Sequence, residues 1–168
     1  MHSKAMVVFS LFMLHAAAAP AVNLNLLPRL DNLTYQSLFD NVNLLLADRQ
    51  DEDGQFEFRP GKAEFAPGDE SRASALAQII NAYSSALKEA FPKLRVVAEA
   101  HTDAEGTPEA VHNLTIARAK AVCRALRAGA LKLRCVPIGA GASMPVVYPA
   151  VTQADRQANQ RVMVQLVK

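Results

Sequence analysis

Tryptophan is absent from this 168-residue sequence, and aromatic residues make up only 6% of it. Composition therefore offers no aromatic platform for sugars or single-stranded nucleic acid. Cysteine occurs twice and glycine seven times. Two cysteines exclude a disulfide-dense miniprotein, and so few glycines exclude a collagen-like or low-complexity chain. Neither sign of charge dominates, with 18 Lys and Arg against 16 Asp and Glu. A net charge of +2 gives no global reason to expect nucleic acid as a partner. What remains, 51% hydrophobic and 20% charged residues, is the composition of one ordinary globular domain.

The one long hydrophobic run lies at the start. Lys4 precedes an almost unbroken apolar stretch from Met6 to Leu14, and small residues follow as far as Ala19-Pro20-Ala21. This is the layout of a cleavable export signal over residues 1–21, cut after Ala21 or, as the alternative, after Ala18. A membrane anchor needs about 20 apolar residues, and His15 and Pro20 interrupt this run first. No cysteine lies near the cut, which argues against a lipid-anchored N-terminus. The near-neutral total also hides an asymmetry. Residues 22–70 carry 4 basic and 10 acidic residues, whereas residues 71–168 carry 13 and 6. The basic half is the part that would attract an anionic polymer.

Residues 22–53 read as an N-terminal extension. Its first part, with Pro28 and several Asn, is an extended lead-in. Leu38, Val42, Leu45 and Leu46 then fall at helical spacing within 34–49. That helix either packs on the domain or meets a partner. Residues 54–168 form the domain proper. Gln55–Arg59 alternates like a strand and ends at Pro60-Gly61. A helix follows, with Ala73, Leu76, Ile80, Tyr83, Leu87 and Phe91 as its apolar stripe. Leu94–Ala100 is a strand, and Pro108 opens a helix that Gly129 stops. Arg134–Ile138 and Arg161–Val167 are strands on either side of a Gly139-Ala140-Gly141 loop. The order implies an α+β fold: a two-layer β-α-β-α-β(β) sandwich with two main helices on one face of a mixed sheet.

The second of these helices carries a misplaced charge. With Val111 as origin and 100° per residue, Leu114, Ala121, Val122 and Ala125 fall within about 80° of it. Arg118 falls at about 340°, in the middle of that apolar stripe. Lys120, Arg124 and Arg127 lie on the opposite, solvated side. A guanidinium facing a core is costly unless a carboxylate meets it. Asp103, just past the strand in His101-Thr102-Asp103, is the nearest candidate, since a strand end and the next helix's first turns share one rim of a sheet. The pair is either a structural ion pair or a ligand site. Alternatively, Arg118 snorkels past the apolar stripe to solvent.

Four segments turn this pattern into a resemblance: HTD at 101–103, LTIARAKAV at 114–122, GAGASMP at 139–145 and NQRVMVQL at 159–166. In this order and spacing they resemble the OmpA-like peptidoglycan-binding domain shared by the OmpA C-terminal region, Pal and MotB, over roughly residues 54–168. The resemblance implies non-covalent binding of peptidoglycan through the diaminopimelate of its peptide stem. It implies that Asp103 meets the ligand's ammonium and Arg118 its carboxylate. A guanidinium grips a carboxylate through two parallel hydrogen bonds, which lysine cannot do. Thr102 and Leu114 are implied to complete the pocket, with Asn159 and Arg161 as braces. Four positions depart from the family pattern: Ala100 for Gly, Val111 for Asn, Gln160 for Arg, and Arg59-Pro60 after the first strand.

Other chemistries find less support. His101, Asp103 and His112 lack the spacing of a metal site, and no cofactor is implied. Cys123 has no strained turn or orienting acid that would make it a nucleophile, so an enzyme is not expected. Cys123 and Cys135 are 12 residues apart across a helix that turns back into a strand. In an oxidising compartment they are expected to pair, the alternative being two separate buried thiols. The sequence thus predicts an exported periplasmic protein that binds the cell wall without a lipid anchor. The alternative is a protein-interaction module of an envelope complex, docking a partner through 34–49 and binding peptidoglycan weakly or not at all.

Overall fold

The structure, a computed structural model, describes residues 32–52, 55–103 and 106–168. The export signal expected at 1–21 lies outside the described residues. In chain order the elements are α1 (Asn32–Glu52), α2 (Asp69–Ala90), β1 (Arg95–His101), α3 (Pro108–Ala128), β2 (Cys135–Gly141), α4 (Gln153–Asn159) and β3 (Val162–Val167).

The fold is α+β. Three strands form a mixed sheet in the order β2-β1-β3, with β1 parallel to β2 and antiparallel to β3. Alternation along the strands sends Val96, Ala98 and Ala100 of β1 and Val162, Val164 and Leu166 of β3 into one core. Helices α2 and α3 cover that face. Ala73, Leu76, Ala77, Ile80 and Leu87 come from α2, and Ala119, Val122, Cys123 and Leu126 from α3. Pro108 stands at the first helical turn of α3, and the Thr107 hydroxyl caps it by accepting from Ala110 N at 3.2 Å.

The expected strand at Gln55–Arg59 does not form. The segment makes a single antiparallel bridge, Phe58 to Phe65. Its backbone is bound to residues 64–66 and to the start of α2. Glu57 N donates to the Asp69 carboxylate at 2.6 Å, and Arg72 donates to Gln55 O at 2.7 Å. A strand's alternation was present, but its backbone bonds go to Glu64 and Ala66 across a tight turn and to the side chains of Asp69 and Arg72, not to the sheet.

The outer edge of β3 is occupied by α1. Phe39, Val42 and Leu46 of this helix belong to the core. Leu38 packs against this core, whereas Leu45, expected on the same face, is exposed like Leu44. Beside the apolar stripe, two side-chain amides serve the strand's free backbone. Val164 N donates to Gln50 Oε1 at 2.7 Å, and Gln50 Nε2 donates to Val164 O at 3.0 Å. Leu166 N donates to Asn43 Oδ1 at 2.7 Å, and Asn43 Nδ2 donates to Leu166 O at 3.1 Å. Unpaired strand edges invite association with other chains. Here a helix closes the edge through Asn43 and Gln50, which lie two turns apart. The opposite edge strand, β2, contains Pro137, which has no N–H to offer.

The short helix α4 was not anticipated. Thr152 and Asp155 form a capping box, with the Thr152 hydroxyl accepting from Asp155 N at 3.1 Å and Asp155 accepting from Thr152 N at 2.7 Å. Cys123 and Cys135 form a disulfide, with Cα atoms 5.6 Å apart, linking α3 to β2.

Two predictions follow from this packing. Gln50→Leu keeps the volume but leaves the Val164 N–H and C=O unpaired in a buried place, so it should cost about 1–3 kcal/mol per unpaired group. Urea unfolding would measure this, and an unchanged midpoint would contradict the role assigned to the amide. Replacing both cysteines by alanine should lower stability by about 2–4 kcal/mol, because the bridge closes a short loop in the unfolded chain. The same titration with and without reductant checks it.

Candidate functional site

Helix α3 is seated against β2 through a glycine. A Cβ on Gly139 would stand 2.7 Å from Ile116 N and 2.9 Å from Thr115 Oγ1. Thr115, fully buried, donates to the Val111 and His112 carbonyls and accepts from Gly141 N. Gly141 has a φ of +63°, a conformation that suits glycine. Its carbonyl accepts from Thr102 N at 3.0 Å. Gly139–Gly141, expected as a loop, is the end of β2, paired with Ala100 and His101, and it positions both the helix that carries Arg118 and the turn that carries Asp103.

Arg118 is 3% exposed. Its Nε donates to Lys62 O at 3.1 Å, and its guanidinium lies 5.1 Å from the centre of the Phe58 ring. Among the described residues no carboxylate comes within ion-pair distance of it. Burial pulls the Arg118 pKa down, and the charge of Asp103 pulls it back up. Asp103 is half-buried; its Oδ1 accepts from Thr102 Oγ1 at 3.0 Å and from Gln160 Nε2 at 3.3 Å. Among the described residues no hydrogen bond or ion pair joins the two, and Asp103 acts on Arg118 through its charge. Leu114 is half-buried on α3, one turn before Arg118, and Thr102 is buried at the end of β1.

Asn159 and Arg161 hold the loop that follows β2. Asn159 is buried; its Oδ1 accepts from Val146 N at 2.8 Å and Val147 N at 3.0 Å, and its Nδ2 donates to Val147 O at 3.0 Å. Arg161 Nη2 donates to Met144 O at 3.1 Å. The loop contains a cis Tyr148–Pro149 bond and exposes Met144, Val146, Tyr148 and Val151. A cavity of about 350 Å³ lies between it and α4, with Asp103 on one wall and Arg156 on another. Arg118 does not line this cavity. A larger hollow of about 460 Å³ is lined by Phe65, Ala121 and Arg124, and by neither Asp103 nor Arg118.

Sequence reasoning missed Lys62, Phe58, Tyr148 and Arg156. Gln160 was visible only as a departure from a pattern, whereas in the structure it holds Asp103. The Thr152-x-x-Asp155 spacing was the one local signal that would have located α4 and its Arg156.

Residues 58–160 match the OmpA family, and the chain belongs to that family. Three solved structures share its fold. The peptidoglycan-associated lipoprotein of Burkholderia pseudomallei is 21% identical over 67% of this chain and 87% of its own, with a TM-score of 0.53. The C-terminal domain of Helicobacter pylori MotB is 16% identical over 68% of this chain and 84% of its own, with a TM-score of 0.56. A putative MotB-like protein from Desulfovibrio vulgaris is 17% identical over 80% of this chain and 94% of its own, with a TM-score of 0.56. No curated protein matches.

One buried group near this site titrates. His101 is 1% exposed, and neither ring nitrogen has a hydrogen-bond partner among the described residues. Its Nε2 lies 3.6 Å from Glu99 Oε1, and Arg161 is the other charge that acts on it. Burial first and Arg161 second lower its pKa, against a smaller upward pull from Glu99. The unfolded chain therefore takes up this proton more readily than the folded one. The stability contributed by neutral His101 is present above the ordinary histidine pKa of about 6.5 and is lost as pH falls below it. His101→Gln should flatten that part of the profile. Thermal unfolding between pH 7.5 and 5 checks this, and identical slopes for the two proteins would refute it.

Proposed function

We propose that this domain binds peptidoglycan without covalent attachment, through the diaminopimelate of the peptide stem. In this reading Arg118 receives the ligand's carboxylate and Asp103 its ammonium. The observation that carries it is the state of Arg118: a buried guanidinium held by one carbonyl and one aromatic face, with no acid in contact among the described residues. Burying a charge without a partner is expensive. Bringing in a carboxylate as ligand supplies the missing bidentate partner in a place where water competes weakly. Asp103 lies close enough to set the order of charges along the ligand. Thr102 and Gln160 hold one of its oxygens and direct the carboxylate.

Membership of the OmpA family and the fold shared with a peptidoglycan-associated lipoprotein support the same reading. Leu114 would pack against the ligand's methylene chain, while Asn159 and Arg161 fix the adjoining loop. We read the protein as a binding module and not an enzyme. On this reading it is exported to the periplasm by the signal at 1–21 and retained at the wall by the domain itself. The interaction-module alternative draws little from α1, because Phe39, Val42 and Leu46 of that helix are spent on the core.

Two variants separate a ligand-binding arginine from a structural one. Arg118→Met keeps the length and the contact with Phe58 but removes the charge. It should unfold at the same or a higher urea concentration than wild type, because a buried charge without an acid in contact has been replaced by an apolar chain. It should also fail to sediment with purified peptidoglycan. Asp103→Asn should weaken sedimentation by about 10- to 100-fold, the loss expected for one charged hydrogen-bonding partner. Wild type that stays in the supernatant, or folded variants that sediment as well as wild type, would dismiss the proposal.

A further inference from the structure

We propose that the solvent face of α3 is a docking surface for an anionic phospholipid bilayer, with Lys120, Arg124 and Arg127 as the contact row. This inference goes beyond the wall-binding reading and does not rest on it. At 100° per residue from Val111 the three cations fall at about 180°, 220° and 160°, within one arc of about 60°. They follow one another over roughly 10 Å of helix. All three are exposed, and none has an ion-pair partner among the described residues. Two acids, Glu64 and Glu70, line a hollow with Arg124. Glu64 is engaged by Arg59 at 3.6 Å and Lys62 at 3.8 Å. Glu70 stands in the first turn of α2, where the helix dipole favours an acid.

The needs of the helix do not explain this row. Lys120 and Arg124 stand four residues apart and Arg124 and Arg127 three apart, so each pair sets like charges side by side on the helix surface and works against it. After Glu109 in its first turn, α3 contains no further Asp or Glu to offset them. The helix dipole favours cations in the last turn, which accounts for Arg127 but not for Lys120, two turns before the end. Helix α3 has no Phe, Tyr or Trp, so it offers no stacking surface for nucleic-acid bases, whereas an anionic bilayer asks only for clustered cations. The surrounding field has the same sign, since residues 71–168 carry 13 basic and 6 acidic residues. Among the described residues no helix is long and apolar enough to cross a membrane, so attachment through this face is peripheral. Arg118 lies at about 340° on the same helix. The buried face of α3 thus holds Arg118 and its opposite face the row, so either surface can be engaged without covering the other.

The probe is co-sedimentation of the folded protein with vesicles of equal parts phosphatidylglycerol and phosphatidylcholine, and with vesicles of phosphatidylcholine alone. At low ionic strength wild type should bind the first and not the second, and the binding should vanish as salt rises to about 0.5 M. Lys120→Gln with Arg124→Gln and Arg127→Gln should weaken binding about 100-fold, roughly fivefold for each basic residue at such a surface. Glutamine is as good a helix former as lysine or arginine, so this variant should stay folded, as its urea unfolding will show. Lys88→Gln with Lys93→Glu removes the same three charges at the end of α2 and should cost less than about tenfold. Wild type that leaves anionic vesicles unbound overturns the proposal, as does a triple variant that binds them like wild type or a control that loses as much. A triple variant that keeps the vesicles and loses purified peptidoglycan assigns the row to the wall polymer and overturns the bilayer. Arg118→Met should bind vesicles as wild type does, so failure of the wall-binding reading leaves this result unchanged.

Discussion

Helix α3 lies so close to β2 that even a methyl group on Gly139 would stand 2.7 Å from the Ile116 nitrogen. This contact sets the geometry of the site. It fixes the rotation of α3, because the Thr115 hydroxyl bridges that helix's own carbonyls and Gly141 N. Arg118 follows Thr115 by less than one turn, so its burial is a consequence of the same seating. Gly141 then turns through positive φ and binds Thr102 through its carbonyl, which leads the chain into Asp103. Two residues far apart in sequence are brought near by one seam. The Cys123–Cys135 bridge ties the same helix to the same strand.

On the far side of the sheet from β2 the same problem of strand pairing has a different solution. The amides of Asn43 and Gln50 give β3 a donor and an acceptor at each of two alternate residues, as a neighbouring strand would. The segment Gln55–Arg59 is thereby released from the sheet. It folds back at Pro60-Gly61, placing Lys62 O and Phe58 over Arg118. Helix α1 therefore contributes to the site indirectly. By occupying the edge of β3, it leaves the following segment to form the wall around the guanidinium.

Much of this was legible from residue order alone. Helices α2 and α3, strand β1 and the misplaced Arg118 follow from periodicity, because their burial is set by the period of each element. The neighbourhood of Asp103 and Arg118 follows from the rim they share. The strand at Gln55–Arg59 was misread because alternation reports which side chains are buried and not where the backbone hydrogen bonds go. Its partners are the backbone of Glu64 and Ala66 across a turn and the side chains of Asp69 and Arg72, which periodicity does not describe. On α1 the spacing identified Val42 and Leu46 in the core and Leu38 against it, but missed Phe39 and included the exposed Leu45. The buried Gln50 and half-buried Asn43 are polar, so a hydrophobic stripe drawn without them loses part of the packed face. The cavity at Tyr148 and Arg156 depends on how Asn159 folds a loop, a tertiary fact with no local signature.

Gln160 shows how a departure from a family pattern acquires physical meaning. An arginine at this place would set a second fixed cation against Asp103 and compete for the charge that a ligand ammonium needs. Gln160 offers a neutral N–H instead, at 3.3 Å from Oδ1. It orients the carboxylate without cancelling it. On the proposed reading, a carboxylate that meets a ligand's ammonium has to be held in place without a cation of the protein against it. Thr102 and Gln160, one hydroxyl and one amide, meet both conditions.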